Sequence, residues 1–150
     1  TTNLDLSSKY LEWGQGNMRL NGIDPGHHDF IYGDALDWMK RLAKRGNKHD
    51  LVILDPPTFS RSKKSGSFQA KRDYPALAKA AAALVRIGGM LLACCNAGGY
   101  PAKKFREDVR RGIRSSGRKI VNSFTAQQPP DFPVTAKEPA HLKVLWLRLD

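Results

Sequence analysis

The chain has 150 residues, of which 41% are hydrophobic and 26% are charged, as is ordinary for one globular domain with its own core. It contains no apolar run of roughly 18 residues, so the sequence predicts no membrane-spanning helix. Its formal net charge is +11, and the charge is unevenly distributed: the residues up to Pro57 carry seven Lys or Arg and eight Asp or Glu, whereas those from Thr58 onward carry eighteen and six. A basic half suits a polyanion such as a nucleic acid, and it is also compatible with a merely solubilising surface.

Taken in chain order, the apolar pattern alternates short strand-like runs with longer helical stretches. This alternation predicts an α/β fold, with a parallel sheet and helices on both of its faces. Strands are predicted at 3–6, 29–34, 50–55, 90–96, 119–126 and 141–149, and helices at 7–22, 35–46, 74–89 and 101–117.

Four polar residues end successive predicted strands: Asp5, Asp34, Asp55 and Asn96. In sheets of this kind ligands bind outside the carboxyl ends of the strands, so these positions are candidates for a site. A carboxylate such as Asp5 commonly accepts hydrogen bonds from ribose hydroxyls, and Asp34 could accept from an exocyclic amine such as adenine N6. Each Asp taken singly is also compatible with a helix N-cap or a turn.

The segment VILDPPTFSRSKK, residues 52–64, ends the third strand with an unusual combination. Two prolines fix φ near −65° after Asp55, which would preorganise the carboxylate and the neighbouring carbonyls. Phe59 follows two residues later, and an aromatic ring is the usual platform for an unstacked RNA base. The sequence therefore favours a binding loop over an ordinary turn.

The sequence provides no pattern for metal binding. His27, His28, His49 and His141 are scattered, and the two cysteines, Cys94 and Cys95, are adjacent without a zinc-type spacing. We therefore predict no metal, and a reducing, cytoplasmic setting.

Four segments together resemble a known family: LDLSSKYLEWGQGNMRLNGI, FIYGDALDWMKRL, HDLVILDPPTFSRSKK and RIGGMLLACCN. The chain resembles the catalytic domain of class I S-adenosylmethionine-dependent methyltransferases, and within them the bacterial ribosomal RNA large-subunit methyltransferase I and K group. The resemblance covers nearly the whole chain. It implies a Rossmann-like sheet, S-adenosylmethionine as cofactor and a base of ribosomal RNA as the methyl acceptor.

The resemblance also implies roles for individual residues. Asp5 would hold the cofactor ribose with Leu6 beside the adenine, and Asp34 with the Ala35 backbone would bind the adenine edge. Asp55, Pro56 and Pro57 would face the reactive sulfonium and the target base, and Phe59 would stack on that base. A basic rim would clamp RNA phosphates: Arg61, Lys63, Lys64, Lys71 and Arg72. The basic helix at 103–119 is either a second RNA-facing surface or simply an exposed helix face.

The chain departs from the cytosine-C5 branch of the group at the end of the fifth strand. Members that methylate cytosine C5 need a cysteine nucleophile there, and the equivalent position here is Asn96, as in the guanine-N7 branch. Cys94 and Cys95 are expected to be buried strand residues. The Asp-His-Pro of the family's late loop is here Asp131-Phe132-Pro133. These departures favour guanine N7 over cytosine C5, with both kept open.

Two other functions are compatible with the sequence. One is methylation of an exocyclic amine, on adenine N6 or a protein glutamine, although Thr58 intervenes between the prolines and the aromatic residue that such loops place together. The other is a catalytically silent RNA-binding domain of the same fold.

We also expect residues 1–150 to form a partial catalytic domain, truncated at its N-terminal side. In the family's sheet, the first strand and its Gly-rich turn lie between the strand ending at Asp5 and the strand ending at Asp55. Without them, two strand edges would lack ladder partners, which costs hydrogen bonds and invites aggregation.

Overall fold

The computed structural model describes residues 1–62, 66–129, 131, 134–135 and 140–150. In chain order, the elements of this part of the chain are β1 (Thr2–Asp5), α1 (Ser8–Leu20), a 3-10 helix (Pro25–His27), β2 (Asp29–Tyr32), α2 (Ala35–Lys44), β3 (His49–Leu54), β4 (Phe59–Ser62), β5 (Gly66–Gln69), α3 (Ala70–Ala82), β6 (Val85–Cys95), α4 (Ala102–Ser115), β7 (Ile120–Ala126) and β8 (Lys143–Leu149). None of the helices in these ranges is both long and apolar enough to cross a membrane. They also hold no group of three or more His, Cys, Asp or Glu side chains that could bind a metal ion.

The strands form one two-stranded parallel sheet, β1–β2, one four-stranded sheet in the order β3-β6-β8-β7, and the hairpin β4–β5. The predicted α/β class is confirmed, but the prediction of a wholly parallel sheet is wrong, because β8 runs antiparallel to both β6 and β7. The described residues between β7 and β8 include no helix, and only a crossover connection could have made the two strands parallel. In the part of the chain that is described, β1 and β3 belong to separate ladders; a further strand between them stays a prediction.

One face of the four-stranded sheet carries the core. Along β6, Leu91, Ala93 and Cys95 are buried, and this strand contacts α3, which packs against α4. Gly112 permits this close approach, since a Cβ at this position would meet the Pro75 carbonyl oxygen and lie 2.9 Å from the Ala78 Cβ. Helix α4 buries Phe105, Val109 and Ile113, which recur every four residues and therefore share one side of the helix.

The opposite face of this sheet carries an apolar row that crosses all four strands. The strand register aligns Ile53 with Leu92, Leu92 with Trp146, and Trp146 with Phe124. The Phe124 and Trp146 rings stack with centroids 5.9 Å apart and planes inclined by 12°. The two ends of this row remain accessible to solvent, since Ile53 is 59% and Phe124 53% exposed.

The largest differences from the sequence prediction concern the bounds of α3 and β6 and one hairpin. Helix α3 begins at Ala70, four residues before the predicted start, and ends at Ala82. Gly88 and Gly89, predicted to end this helix, lie inside β6, where a Cβ on Gly89 would be 2.9 Å from the Asp50 carbonyl oxygen. The hairpin β4–β5 was not predicted, because its short strands are polar and lack the alternation of a half-buried strand.

Candidate functional site

Asp5 and Asp34 lie at the carboxyl end of the β1–β2 sheet. The backbone continues this pairing past the strands, since the Gly33 amide donates to the Asp5 carbonyl oxygen over 2.9 Å. The half-buried Asp5 carboxylate accepts from the Ser7 amide at 2.7 Å. Asp34 is the N-cap of α2 and accepts from the Asp37 amide at 3.1 Å. Asp34 therefore does cap a helix. Asp5 and Asp34 both lie at the carboxyl ends of their strands, as the sequence predicts.

The residues at this edge fit the nucleoside part of S-adenosylmethionine. A carboxylate has acceptor sites for more than one donor, so Asp5 can accept from ribose hydroxyls while it holds the Ser7 amide. Leu6 is 37% exposed beside it and offers an apolar contact for a purine. Ala35 is the first residue of α2, where a backbone N–H has no acceptor within its own helix.

Gly33 lies in the turn between β2 and α2 and directly precedes Asp34. Its φ is +149°, and a Cβ there would overlap the Trp38 indole, lying 2.7 Å from Cδ1. That indole is held in turn by a hydrogen bond from Nε1 to the Tyr32 carbonyl oxygen at 3.2 Å. Only glycine combines this φ with this proximity.

We expect Gly33→Ala to lower the free energy of unfolding by about 1 to 3 kcal/mol and to weaken cofactor binding, because the turn must move away from the indole and carry Asp34 with it. Chemical denaturation and calorimetric titration with S-adenosylmethionine measure the two effects. Gly46→Ala is the matched control, since Gly46 has a φ of +81° at the other end of α2 and open space around its Cβ position. Equal losses in both variants would contradict a specific role for the Gly33 turn.

The Asp55 loop leaves the carboxyl end of β3. The register pairs Leu54 with Ala93 of β6, which brings Asp55 level with Cys94 on the neighbouring strand. Asp55 and Pro57 are exposed and Pro56 is half-buried. Phe59 begins β4 with its side chain 53% exposed, and its pairing with Gln69 of β5 fixes the backbone that carries the ring.

Asn96 directly follows β6 and is exposed. The next residue is anchored by Lys143, whose buried ammonium donates to the carbonyl oxygens of Ala97 and His141, each at 2.7 Å. Lys143 stands opposite Cys95 at the start of β8. Sequence reasoning missed this lysine, because a single Lys at the start of a strand carries no signal of burial.

Tyr74 was also missed. It is 0% exposed, and its hydroxyl lies 2.7 Å from the Cys94 carbonyl oxygen and 3.3 Å from that of Leu54. These two carbonyls belong to the ends of β6 and β3. Tyr74 therefore lies directly beneath the strand ends that carry Asp55 and Asn96. A tyrosine inside an alanine-rich helix was the available signal, since a buried tyrosine usually directs its hydroxyl to a partner.

The two cysteines are poorly suited to nucleophilic attack. Cys95 is 0% exposed on the core face of β6. Cys94 is half-buried, and burial, followed by the negative charge of Asp55 and by Cys95, raises the pKa of its thiol to about 11. Because the thiolate is the reactive form, this raised pKa disfavours nucleophilic attack by Cys94 near neutral pH.

The basic residues predicted to contact RNA fall into two groups. Arg61 and Lys71 are exposed. Arg72, by contrast, donates to Asp73 at 2.7 and 2.8 Å and to the Ser67 carbonyl oxygen at 2.6 Å, and so braces the base of the hairpin. Its hydrogen bond lowers the pKa of the Asp73 carboxyl. Lys63 and Lys64 lie outside the described residues, as do Phe132 and Pro133 of the late loop.

Several cations of the basic helix α4 and its C-terminal flank have partners inside the fold. Lys104 and Arg111 each pair with the buried Asp108 at 2.7 Å. Arg110 donates to the Ser123 hydroxyl at 2.9 Å, and Arg118 donates to the Ala82 carbonyl oxygen at 2.9 Å. Part of the basic charge of this segment therefore stabilises the domain.

Known proteins share the sequence pattern and the fold of this chain. Residues 1–148 match the family model described as S-adenosylmethionine-dependent methyltransferase. The chain belongs to this family. Its fold is shared with SMU.776, solved in complex with SAH, at a TM-score of 0.84 with 24% identity, covering 99% of this chain and 38% of that one. The SAM-dependent methyltransferase from Agrobacterium tumefaciens superposes at a TM-score of 0.71 with 20% identity, covering 99% of this chain and 48% of that one.

The curated relatives have more specific names. A ribosomal RNA large subunit methyltransferase K/L from Methylococcus capsulatus is 40% identical over 109 residues, which are 72% of this chain and 14% of that protein. One of the same name from Aeromonas hydrophila subsp. hydrophila is 34% identical over 148 residues, 98% of this chain and 19% of that protein. The chain thus spans less than a fifth of the length of either relative.

Proposed function

We propose that the protein transfers a methyl group from S-adenosylmethionine to a base of large-subunit ribosomal RNA. Three features carry this proposal: the loop in which Asp55 and Pro57 are exposed, the half-exposed Phe59 ring after it, and Asn96 at the carboxyl end of the neighbouring strand β6. Family membership supports the cofactor, and the names of the K/L relatives support the substrate class.

Each residue has a defined part in this proposal. Bound S-adenosylmethionine supplies an electrophilic methyl group on a positively charged sulfur. Asp5, Asp34 and the Ala35 amide hold its nucleoside part. Phe59 stacks on the flipped base, and Asp55 and Asn96 orient the base edge through hydrogen bonds. Arg61 and Lys71 contact RNA phosphates at the rim.

For the acceptor atom, we favour guanine N7 over cytosine C5. N7 carries a lone pair and needs no enzyme nucleophile, whereas C5 becomes reactive only after a thiolate adds to the ring. The burial of Cys95 and the raised pKa of Cys94 support the non-covalent route.

Incubation of the purified protein with methyl-labelled S-adenosylmethionine and ribosomal RNA tests the proposal directly. Label should enter the RNA, and nucleoside analysis should find a methylated guanine. Methylcytosine would correct the acceptor atom, and N6-methyladenine would support exocyclic-amine chemistry. Label found only in protein would favour a glutamine substrate, whereas salt-dependent RNA binding without cofactor binding would indicate a silent RNA-binding domain.

We expect Cys94→Ala and Cys95→Ala to keep the rate of methyl transfer within about threefold of the wild type, because an obligatory nucleophile would instead cost several orders of magnitude. Steady-state kinetics with ribosomal RNA measure this. RNA that contains 5-fluorocytosine provides the complementary check, since a covalent adduct with it would show that a cysteine does attack the ring.

A further inference from the structure

The hydroxyl of Tyr74 cross-links the ends of two neighbouring strands. Tyr74 lies in α3, and its hydroxyl is within hydrogen-bond distance of two acceptors, the Cys94 carbonyl oxygen at 2.7 Å and the Leu54 carbonyl oxygen at 3.3 Å. The β3–β6 ladder ends with the pair Leu54 and Ala93. The tyrosine therefore joins the two strands where their own ladder stops.

This cross-link lies immediately before the residues that we place at the reacting base. Asp55 follows Leu54 directly, and Asn96 comes two residues after Cys94. The last hydrogen bonds between two parallel strands determine how the strand ends are positioned relative to each other. A shift at these bonds would also displace the loops that follow the strands. Catalytic geometry is sensitive at this scale, because a displacement of 1 Å costs about 10²-fold in rate.

The ring that carries the hydroxyl is itself immobilised. Tyr74 packs edge-on against Phe105 of α4, with centroids 4.9 Å apart and planes inclined by 86°. Burial, above all, raises the pKa of the Tyr74 hydroxyl far above its ordinary range, so it remains a donor at every physiological pH. The hydroxyl of Tyr74 therefore fixes the ends of β3 and β6 relative to helices α3 and α4.

We infer that Tyr74 is a positioning residue for methyl transfer, setting the separation of Asp55 and Asn96 through the carbonyls of Leu54 and Cys94. The inference rests on the proposed function for its catalytic consequence, but the structural cross-link can be measured independently.

The test compares Tyr74→Phe with Tyr100→Phe. Both are fully buried tyrosines whose rings pack edge-on against Phe105, but the Tyr100 hydroxyl donates to Asp108 at 2.8 Å, not to a strand end. We expect Tyr74→Phe to lower kcat at least about tenfold with the KM for S-adenosylmethionine within about threefold of the wild type, because the nucleoside residues lie on the other sheet. Tyr100→Phe should lower the melting temperature without this loss of kcat.

Amide hydrogen exchange supplies a readout that needs no activity. In Tyr74→Phe, exchange should accelerate in the peptides covering residues 54–58 and 94–99, and in Tyr100→Phe it should not. Unchanged exchange, or equal losses of kcat in the two variants, would overturn the inference. If the wild type transfers no methyl group to RNA, the proposed function fails, and the exchange data alone decide whether Tyr74 positions the two loops.

Discussion

Replacing Asp55 with alanine is expected to lower the rate of methyl transfer by about 10²- to 10⁴-fold, the range typical for a group that acts directly at the reacting centre. The physical reason is that the carboxylate follows a buried strand end and precedes two prolines, so its position is fixed before the base arrives. RNA affinity should stay within about twofold, because phosphate contacts, which Asp55 does not make, supply most of it. Single-turnover kinetics and filter binding measure the two quantities.

Asp50→Ala is the matched control for this experiment. Asp50 is an exposed carboxylate on the same strand, near its opposite end, where it pairs with Arg86. Its removal should leave both rate and affinity unchanged. Normal product formation by Asp55→Ala would refute the role of the loop, and a parallel loss of RNA affinity would reassign Asp55 to substrate binding.

The largest effect on stability is expected for Asp108. This carboxylate is 1% exposed and accepts hydrogen bonds from Tyr100 at 2.8 Å and from Lys104 at 2.7 Å, with Arg111 also paired to it at 2.7 Å. Asp108→Ala would leave the buried Tyr100 hydroxyl without its acceptor and remove charge-assisted bonds, at a cost of about 2 to 4 kcal/mol in the free energy of unfolding. Glu107→Ala, which removes the neighbouring exposed carboxylate, should stay within about 0.5 kcal/mol of the wild type.

The same carboxylate predicts a pH dependence. Burial alone would raise the pKa of Asp108, but the hydrogen bonds from Lys104 and Tyr100 and the charges of Lys104 and Arg111 outweigh it and hold the pKa below the ordinary 3.8. The folded state therefore gains stability from this group above pH 3.8 and loses it as the pH falls through the folded-state pKa. Urea denaturation between pH 7 and 3 should show the difference between wild type and Asp108→Ala shrinking only in acid; a constant difference would contradict the linkage.

Strand ends were predictable from the sequence because a carboxylate or amide after an apolar run is a local signal. Asp5, Asp34, Asp55 and Asn96 all lie at or just after strand ends. The antiparallel placement of β8 and the hairpin that carries Phe59 were not predictable in this way, since both depend on which segments meet in space.

The supporting residues of the site show the same limit. Tyr74 and Lys143 act on carbonyls 20 and 46 residues away in the chain, and no local pattern encodes such a partner. For Arg72 the local pattern was informative about charge but not about structure. Its position in a basic run predicts a phosphate contact, whereas its side chain donates hydrogen bonds to Asp73 and to the Ser67 carbonyl oxygen within the domain. The contact with RNA stays a prediction for Arg72.

The strand order β3-β6-β8-β7 also determines when the domain can fold during synthesis. β8 lies between β6 and β7 and pairs with both: Met90 of β6 pairs with Arg148, and Phe124 of β7 pairs with Trp146. Neither β6 nor β7 can form these pairs before β8 has been synthesised. Until residue 149 has left the ribosomal exit tunnel, β7 lacks its ladder and β6 has one open edge. Such long-range pairing is slow to form, and the exposed apolar edge is open to misassembly in the meantime. The nascent chain should therefore become resistant to protease only after β8 emerges, in a single late step.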